Sequence, residues 1–299
     1  MIPASRSTVW KQKTRTPATS ARFFWEKSLR LAKYVALVFP KFLLNTPEFS
    51  TTRAELAQKS VDAILDFGEK GFPGILVETI AIFINNLAAP ANTKVFSLTH
   101  RLHLTQPQAY IFDPELPYWI IYRNQQFDSV CRKLDFDVFE VFRDRQLTNK
   151  LLSSSGELRV LKSRNLSDDG KAILDIPGYD SYISYAAAKP LSVFQYLDAP
   201  NVYLTPNMTY KPRMMKKPPH CVVNGSLAIL IPKGGIVPTE KQLAYFSSEE
   251  YRAFYQIARN FQTRSLNVDA CSVFFYGLLR DEAKPAPEKF DTSVQLSFL

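Results

Sequence analysis

Residues 61–84 read Val61-Asp-Ala-Ile-Leu-Asp-Phe67, Gly68-Glu-Lys-Gly-Phe-Pro-Gly74 and Ile75-Leu-Val-Glu-Thr-Ile-Ala-Ile-Phe-Ile84. In the first run Val61, Ala63, Leu65 and Phe67 alternate with Asp62, Ile64 and Asp66, the period of a strand with one largely buried face. The last run is β-rich and carries no helical period. Three glycines and a proline between two apolar runs mark a loop. The segment therefore predicts two strands, antiparallel to each other, with Phe72 displayed on the loop between them.

Upstream, Tyr34-Val-Ala-Leu-Val-Phe39 has strand composition and Pro40 ends it, which predicts a buried strand followed by a loop. Ser50 or Thr51 starts a helical stretch through Lys59, with Leu56 and Ala57 facing inward. Strand, helix, strand, loop, strand is the closing portion of an α/β sheet. The opening of a doubly wound sheet, a strand, a glycine turn and a helix, is not found upstream.

Downstream, residues 87–105 read as a connector with one short strand. Residues 106–132 read as aromatic and extended around Tyr118-Trp-Ile-Ile-Tyr122. Phe136-Asp-Val-Phe-Glu-Val-Phe142 alternates as a strand does. Short β-rich runs then continue to about Leu230, separated by turn signals at 153–156, 168–170, 177–178 and 224–225. Ser247 and Glu250 form a capping box for one strong helix with a stripe of Tyr251, Phe254, Tyr255, Ala258 and Phe261. Residues from Ala283 onward read as a loose tail.

The chain has 299 residues, 46% hydrophobic and 22% charged, enough for real cores. No window approaches the roughly eighteen uninterrupted apolar residues of a membrane span. Three widely spaced cysteines, Cys131, Cys221 and Cys271, predict a reducing, cytoplasmic setting without a disulfide framework or zinc site. His100 and His103 lack a further ligand at metal spacing, so no metal site is expected. The net charge of +9 is uneven. Residues 1–50 hold nine Lys and Arg against Glu26 and Glu48. Lys211, Arg213, Lys216, Lys217 and Lys233 lie in a stretch, 199–239, with no acid. Two separated cationic clusters point to a polyanion such as nucleic acid.

Leu37-Val-Phe-Pro-Lys-Phe-Leu-Leu-Asn45, Ile64 to Gly74 and Glu78-Thr-Ile80 resemble the late catalytic-domain motifs of TaqI-like adenine-N6 DNA methyltransferases of type II restriction–modification systems. Phe142-Arg-Asp-Arg-Gln-Leu-Thr-Asn149, Leu161 to Gly170, Leu204 to Arg213, Asn224-Gly-Ser226 and Phe246 to Arg252 resemble the C-terminal target-recognition domain of the same family. The resemblance runs in order from about residue 23 to 280. It implies an α/β plus α+β chain, a partial doubly wound methyltransferase sheet followed by a β-rich recognition domain with a C-terminal helix. The corresponding divisions are a basic, flexible N-terminus (1–22), the end of the catalytic domain (23–90), a connector (91–135), the recognition domain (136–282) and a tail (283–299). It also implies that Phe72 stacks on the adenine flipped out of duplex DNA. A flipped base is read by stacking as well as by hydrogen bonds to its edge. The alternative is a phenyl ring packed under its own hairpin.

The sequence departs from that family in two places. Adenine-N6 transfer uses an N/D-P-P-Y/F segment whose acceptors activate the amine. Thr205-Pro-Asn-Met and Asp113-Pro-Glu-Leu-Pro-Tyr118 both lack its adjacent prolines. The glycines at 68, 71 and 74 are spaced wrongly for the S-adenosylmethionine loop and are followed by a β-rich run rather than a helix. The expectation is thus a recognition part with no complete catalytic set and no cofactor of its own. S-adenosylmethionine would be supplied by a catalytic methyltransferase polypeptide.

Residue chemistry adds candidates for DNA contact. Arg143, Arg145 and Gln146 group readers of guanine and adenine, and Arg164 and Asn165 repeat the pair on a turn-bounded loop. Tyr210, Lys211, Arg213, Lys216 and Lys217 suit phosphate contact on a rigid, proline-flanked segment. Arg143 beside Asp144 equally suits an internal ion pair, and Lys216-Lys217 a solvated face. Two other readings stay open. One is a free-standing or degenerate DNA-binding fragment with no enzymatic role. The other is an RNA binder stacking bases on the aromatic segment Tyr110–Tyr122.

Overall fold

The computed structural model describes residues 17–72, 74, 76–263 and 267–280. The expected tail lies outside the described residues, as does most of the basic N-terminus. Helix α1 (Pro17–Leu31) opens the description, so the last six residues of the segment read as flexible are helical. Proline suits the first helical turn, where its missing N–H has no partner to lose. Sequence pattern does not mark α1, because its aromatic run Phe23-Phe24-Trp25 lacks a helical period. Only Trp25 of the three is buried, its Nε1–H donating to Glu55 at 3.2 Å.

Strand β1 (Tyr34–Pro40), helix α2 (Ser50–Ala57), β2 (Ser60–Gly68) and β3 (Thr79–Asn85) follow. Next come β4 (Asn92–Ser97) and β5 (Leu102–Pro107). These five strands form one sheet in the order β1-β3-β2-β4-β5. As expected, β2 and β3 are antiparallel, and so are β1–β3 and β4–β5, whereas β2–β4 is parallel.

Three expectations need correction here. The bulge in β2 between Val61 and Ala63 inverts the parity read from the sequence. Past it Ile64 and Asp66 face the core, and Ala63, Leu65 and Phe67 share the opposite face with Phe83. One inserted residue moves every later side chain to the other face. Second, β1 is an edge strand with one open face rather than a buried strand. Val35 and Phe39 are buried, while Tyr34 and Val38 are exposed. Third, residues 91–135 supply two strands of the first sheet where a connector with one was expected. They also hold two helices, α3 (Gln108–Ile111) and α4 (Gln125–Lys133). Their centre, Tyr118–Tyr122, is not a strand, and all five of its residues are buried. Trp119 stacks on Phe112 at 3.7 Å. This removes the aromatic surface that an RNA-stacking reading requires.

Strands β6 (Leu134–Asp135), β7 (Phe139–Phe142), β8 (Leu158–Leu161) and β9 (Ser181–Ile183) and helix α5 (Tyr185–Ala188) come next. After them run β10 (Tyr203–Pro206), β11 (Met215–Lys216), β12 (Cys221–Val223) and β13 (Leu227–Pro232). The alternation from Phe136 yields a strand only from Phe139, since Asp137 sits at φ +59° and breaks it. One sheet runs β11-β10-β13-β7 and another β12-β8-β9, and no sheet closes into a barrel. The last described elements are helices α6 (Glu240–Tyr245) and α7 (Glu249–Ala258) and a short strand, β14 (Leu278–Leu279), paired with β6. The cap of α7 is Ser248, whose hydroxyl accepts from the Tyr251 N–H, one residue beyond the expected Ser247. Ser247 instead donates to the Asp169 carbonyl at 2.8 Å.

The fold is mixed α/β and carries two cores. One extends from Trp25 through Tyr118–Tyr122 to Phe254, Tyr255 and Tyr276, so the C-terminal helix packs back onto the first sheet's side of the molecule. The other, from Leu158 to Ile229, lies within the β-rich part.

Candidate nucleic-acid interface

Phe72 lies on the loop from β2 to β3 and is 45% exposed. It is not tucked under its hairpin. Two glycines shape that loop because side chains already fill the adjacent space. A Cβ on Gly68 would meet Thr99 Oγ1 at 2.3 Å, and one on Gly71 would meet Thr79 Oγ1 at 2.2 Å. Gly68 also has φ +55°, which glycine adopts without strain.

The root of the loop is held by buried charge. Lys41 Nζ is 2.7 Å from Asp66 Oδ2 and 3.7 Å from Glu78 Oε1. The Tyr122 hydroxyl donates to Asp66 as well. Burial, reinforced by the Asp66 charge, raises the Tyr122 pKa well above its ordinary range, so the phenol keeps its proton and donates it. Asp66 also accepts from the Gly68 N–H at 2.9 Å. A buried carboxylate supplied with this many donors fixes the strand end from which Phe72 projects.

The same loop is tied to the C-terminal part. The Thr263 N–H donates to Glu78 at 2.9 Å and its hydroxyl to Glu69 at 2.6 Å. The Tyr210 hydroxyl donates to the Thr263 carbonyl at 2.6 Å. Nothing in the sequence marked Thr263, which reaches the two ends of this loop only through folding.

The expected DNA-contacting residues divide into exposed and internal groups. Arg145, Gln146, Arg164, Tyr210, Lys211 and Lys216 are exposed, and Arg143 is half-buried. Asp144 is not an ion partner for Arg143. It accepts from the backbone N–H groups of Gln146 and Leu147, and Arg143 reaches Asn207 Oδ1 at 3.5 Å. Arg164 lies 4.6 Å from the ring centre of Tyr179, and Lys162 lies 3.9 Å from it.

Three candidates are internal instead, a correction to the site read from the sequence. Asn165 is fully buried, accepting from Lys162 N–H at 2.9 Å and donating to Asp180 at 2.7 Å and Leu174 O at 3.0 Å. Arg213 donates to the carbonyls of Lys211, Ser163 and Leu166. Lys217 is buried and donates to the carbonyls of Leu197 and Pro218. Burial lowers the pKa of the Arg213 and Lys217 cations. None of the three has a free edge for a base or phosphate. Arg213 has a positioning role, however: it joins the 163–166 turn that carries Arg164 to the segment that carries Tyr210 and Lys211.

Among the described residues, neither the Gly68–Gly74 loop nor the two proline-containing segments compared with the family's motifs fits the methyl donor. The Gly68–Gly74 loop joins antiparallel strands, and the space beside Gly68 and Gly71 is occupied by Thr99 and Thr79, while that beside Gly74 is open. Asn207 of the Thr205-Pro-Asn-Met segment is committed to Gly225 O, Asn267 Oδ1 and the Val268 N–H. Asp113 is ion-paired to Arg123 at 2.7 Å.

No family model matches the sequence, and no curated protein matches it. Among solved structures, the type IIL restriction-modification enzyme MmeI in complex with DNA aligns with 81% of this chain and 38% of its own, at a TM-score of 0.44 and 11% identity. The type IIG restriction endonuclease BpuSI aligns with 82% of this chain and 39% of its own, at a TM-score of 0.30 and 9% identity. The chain thus spans about two fifths of the length of either.

Proposed function

We propose that this chain is the sequence-recognition part of a site-specific adenine-N6 DNA methyltransferase. In this reading it contacts duplex DNA, and a catalytic polypeptide supplies S-adenosylmethionine and the activating N/D-P-P-Y/F segment. The observation that carries the proposal is Phe72, an exposed aromatic ring on a loop rooted in buried charge and tied through Thr263 to the segment bearing Tyr210 and Lys211. An exposed ring on a rigid support costs little to order when a base stacks on it. Arg164 and Lys211, whose segments Arg213 joins, would supply a base reader and a phosphate contact. Among the described residues no strand pairs with the outer edge of β1, and Tyr34, Val38 and Phe83 expose apolar surface on one sheet face. That is a surface a partner chain would cover.

The test is repeated selection of bound duplexes from a randomised pool at about physiological salt. Enrichment of one short motif by this chain supports sequence recognition. Transfer of labelled methyl groups to that motif only after a donor-binding methyltransferase is added supports the divided enzyme. Binding without enrichment, lost as salt rises, would leave only a cationic surface.

A further inference from the structure

A cavity of about 450 Å3 lies between helix α2 and the segment that runs from α3 to Trp119. Arg53, Ala54 and Ala57 line it from the helix, and their spacings of three and four residues put them on one face. Phe112, Leu116 and Pro117 line the other wall and make it apolar. A volume of this size is in the range of small-molecule sites.

Arg53 brings a charge to that face and is only 4% exposed. Its Nη1 donates to the carbonyls of Leu43 and Thr46, each at 2.8 Å. Among the described residues no carboxylate forms an ion pair with it. Its Nε and Nη2 make no hydrogen bond there either, yet neither is sealed from solvent. A buried charge is ordinarily paired, because leaving water uncompensated is costly. Burial lowers the Arg53 pKa, and more distant groups, Cys271 and Tyr118 and then Asp269 and Glu48, offset that only in part. Two other polar groups of the cavity are engaged. Gln108 accepts from the Val61 N–H and donates to the carbonyls of Ala57 and Lys59. Asp113 is held by Arg123 at 2.7 Å.

We propose that this cavity binds a small amphipathic carboxylate, with its anion on Arg53 and its apolar body against Phe112, Leu116 and Pro117. Nε–H and one Nη2–H of a guanidinium lie side by side in a planar fork, the geometry that meets two carboxylate oxygens. An ion pair inside apolar walls is stronger than one in water, and the body of the ligand would exclude water from it. The site goes beyond the DNA reading, since none of its residues belongs to the Phe72 loop or to the segments bearing Arg164 and Lys211.

The experiment titrates the full chain by calorimetry, at fixed ionic strength, with hexanoate, phenylbutyrate and naphthylacetate and with the amide of each. Inorganic phosphate serves as an anion without an apolar body. The expected result is a carboxylate bound about tenfold more tightly than its amide. Arg53→Gln should abolish that preference, and Ala54→Trp, which fills the cavity, should abolish binding of both. Ala54 is exposed at the cavity edge, so its variant tests the site even if Arg53→Gln fails to fold. Equal affinity for acid and amide, or no saturable binding by any of the carboxylates, would overturn the inference. Binding that survives Ala54→Trp would place the ligand elsewhere on the cationic surface and overturn it as well. Phosphate bound as tightly as the carboxylates would show that the apolar wall is not used, which also overturns it.

Discussion

Lys41 Nζ lies 2.7 Å from Asp66 Oδ2, and both side chains are almost completely buried beneath the loop that carries Phe72. The two residues are 25 positions apart in sequence, one just past an edge strand and the other near the end of the central strand β2. Replacing Lys41 by methionine leaves Asp66 buried with its cation gone. The expected loss is about 3–5 kcal/mol of unfolding free energy in urea titration. A Lys41→Met/Asp66→Leu double variant should recover a substantial part of that loss. If Lys41→Met alone is neutral, the pair does not anchor the loop.

Phe72→Ala should behave in the opposite way. The ring is exposed, so stability should change by no more than about 0.5 kcal/mol. Methylation by the assembled enzyme, or fluorescence of a flipped base analogue, should fall. A variant that unfolds early would show the ring to be part of the core.

Arg164 and Asn165 are adjacent yet should separate cleanly. Asn165→Ala breaks three internal hydrogen bonds and should cost about 1–3 kcal/mol of stability. Arg164→Ala should leave the fold intact and relax sequence choice at one base pair, read by repeating the duplex selection. Equal loss of stability in both would remove Arg164 from the interface.

Lys216 and Lys217 form a similar pair. Lys216→Ala should lower the slope of log affinity against log salt by about one, whereas Lys217→Met should act on stability. Folding lowers the Lys217 pKa through burial, so the folded state holds this proton less firmly than the unfolded chain. Stability should therefore rise with pH between the lowered folded value and 10.5, the ordinary one. A Lys217→Met variant should lose that rise.

His100 also has a lowered pKa, from burial and then from the Lys41 charge. On acidification the unfolded chain takes up a proton near 6.5 before the folded one does, so stability should fall as pH drops from 6.5 toward the folded value. Proton NMR of the imidazole should give a midpoint below 6.5, and His100→Gln should weaken the acid loss. A midpoint at or above 6.5 would place the ring in open solvent.

Local pattern determined a good deal of this protein. The loop between antiparallel β2 and β3, the exposed Phe72, helix α2, the apolar stripe of α7 and the turns of the β-rich part follow from periodicity, glycine and proline within short windows. Tertiary structure alone decided which polar residues face outward. Lys41, Arg213, Lys217 and Asn165 read as cations and amides near the surface, yet each is buried, because a charge can leave water wherever distant carbonyls or carboxylates replace its hydration. Those partners lie up to 50 residues away in sequence. The bulge after Val61 was equally hidden. It is set by pairing with β3, and by inverting the parity of β2 it turned Asp66 inward, where Lys41 and Tyr122 meet it.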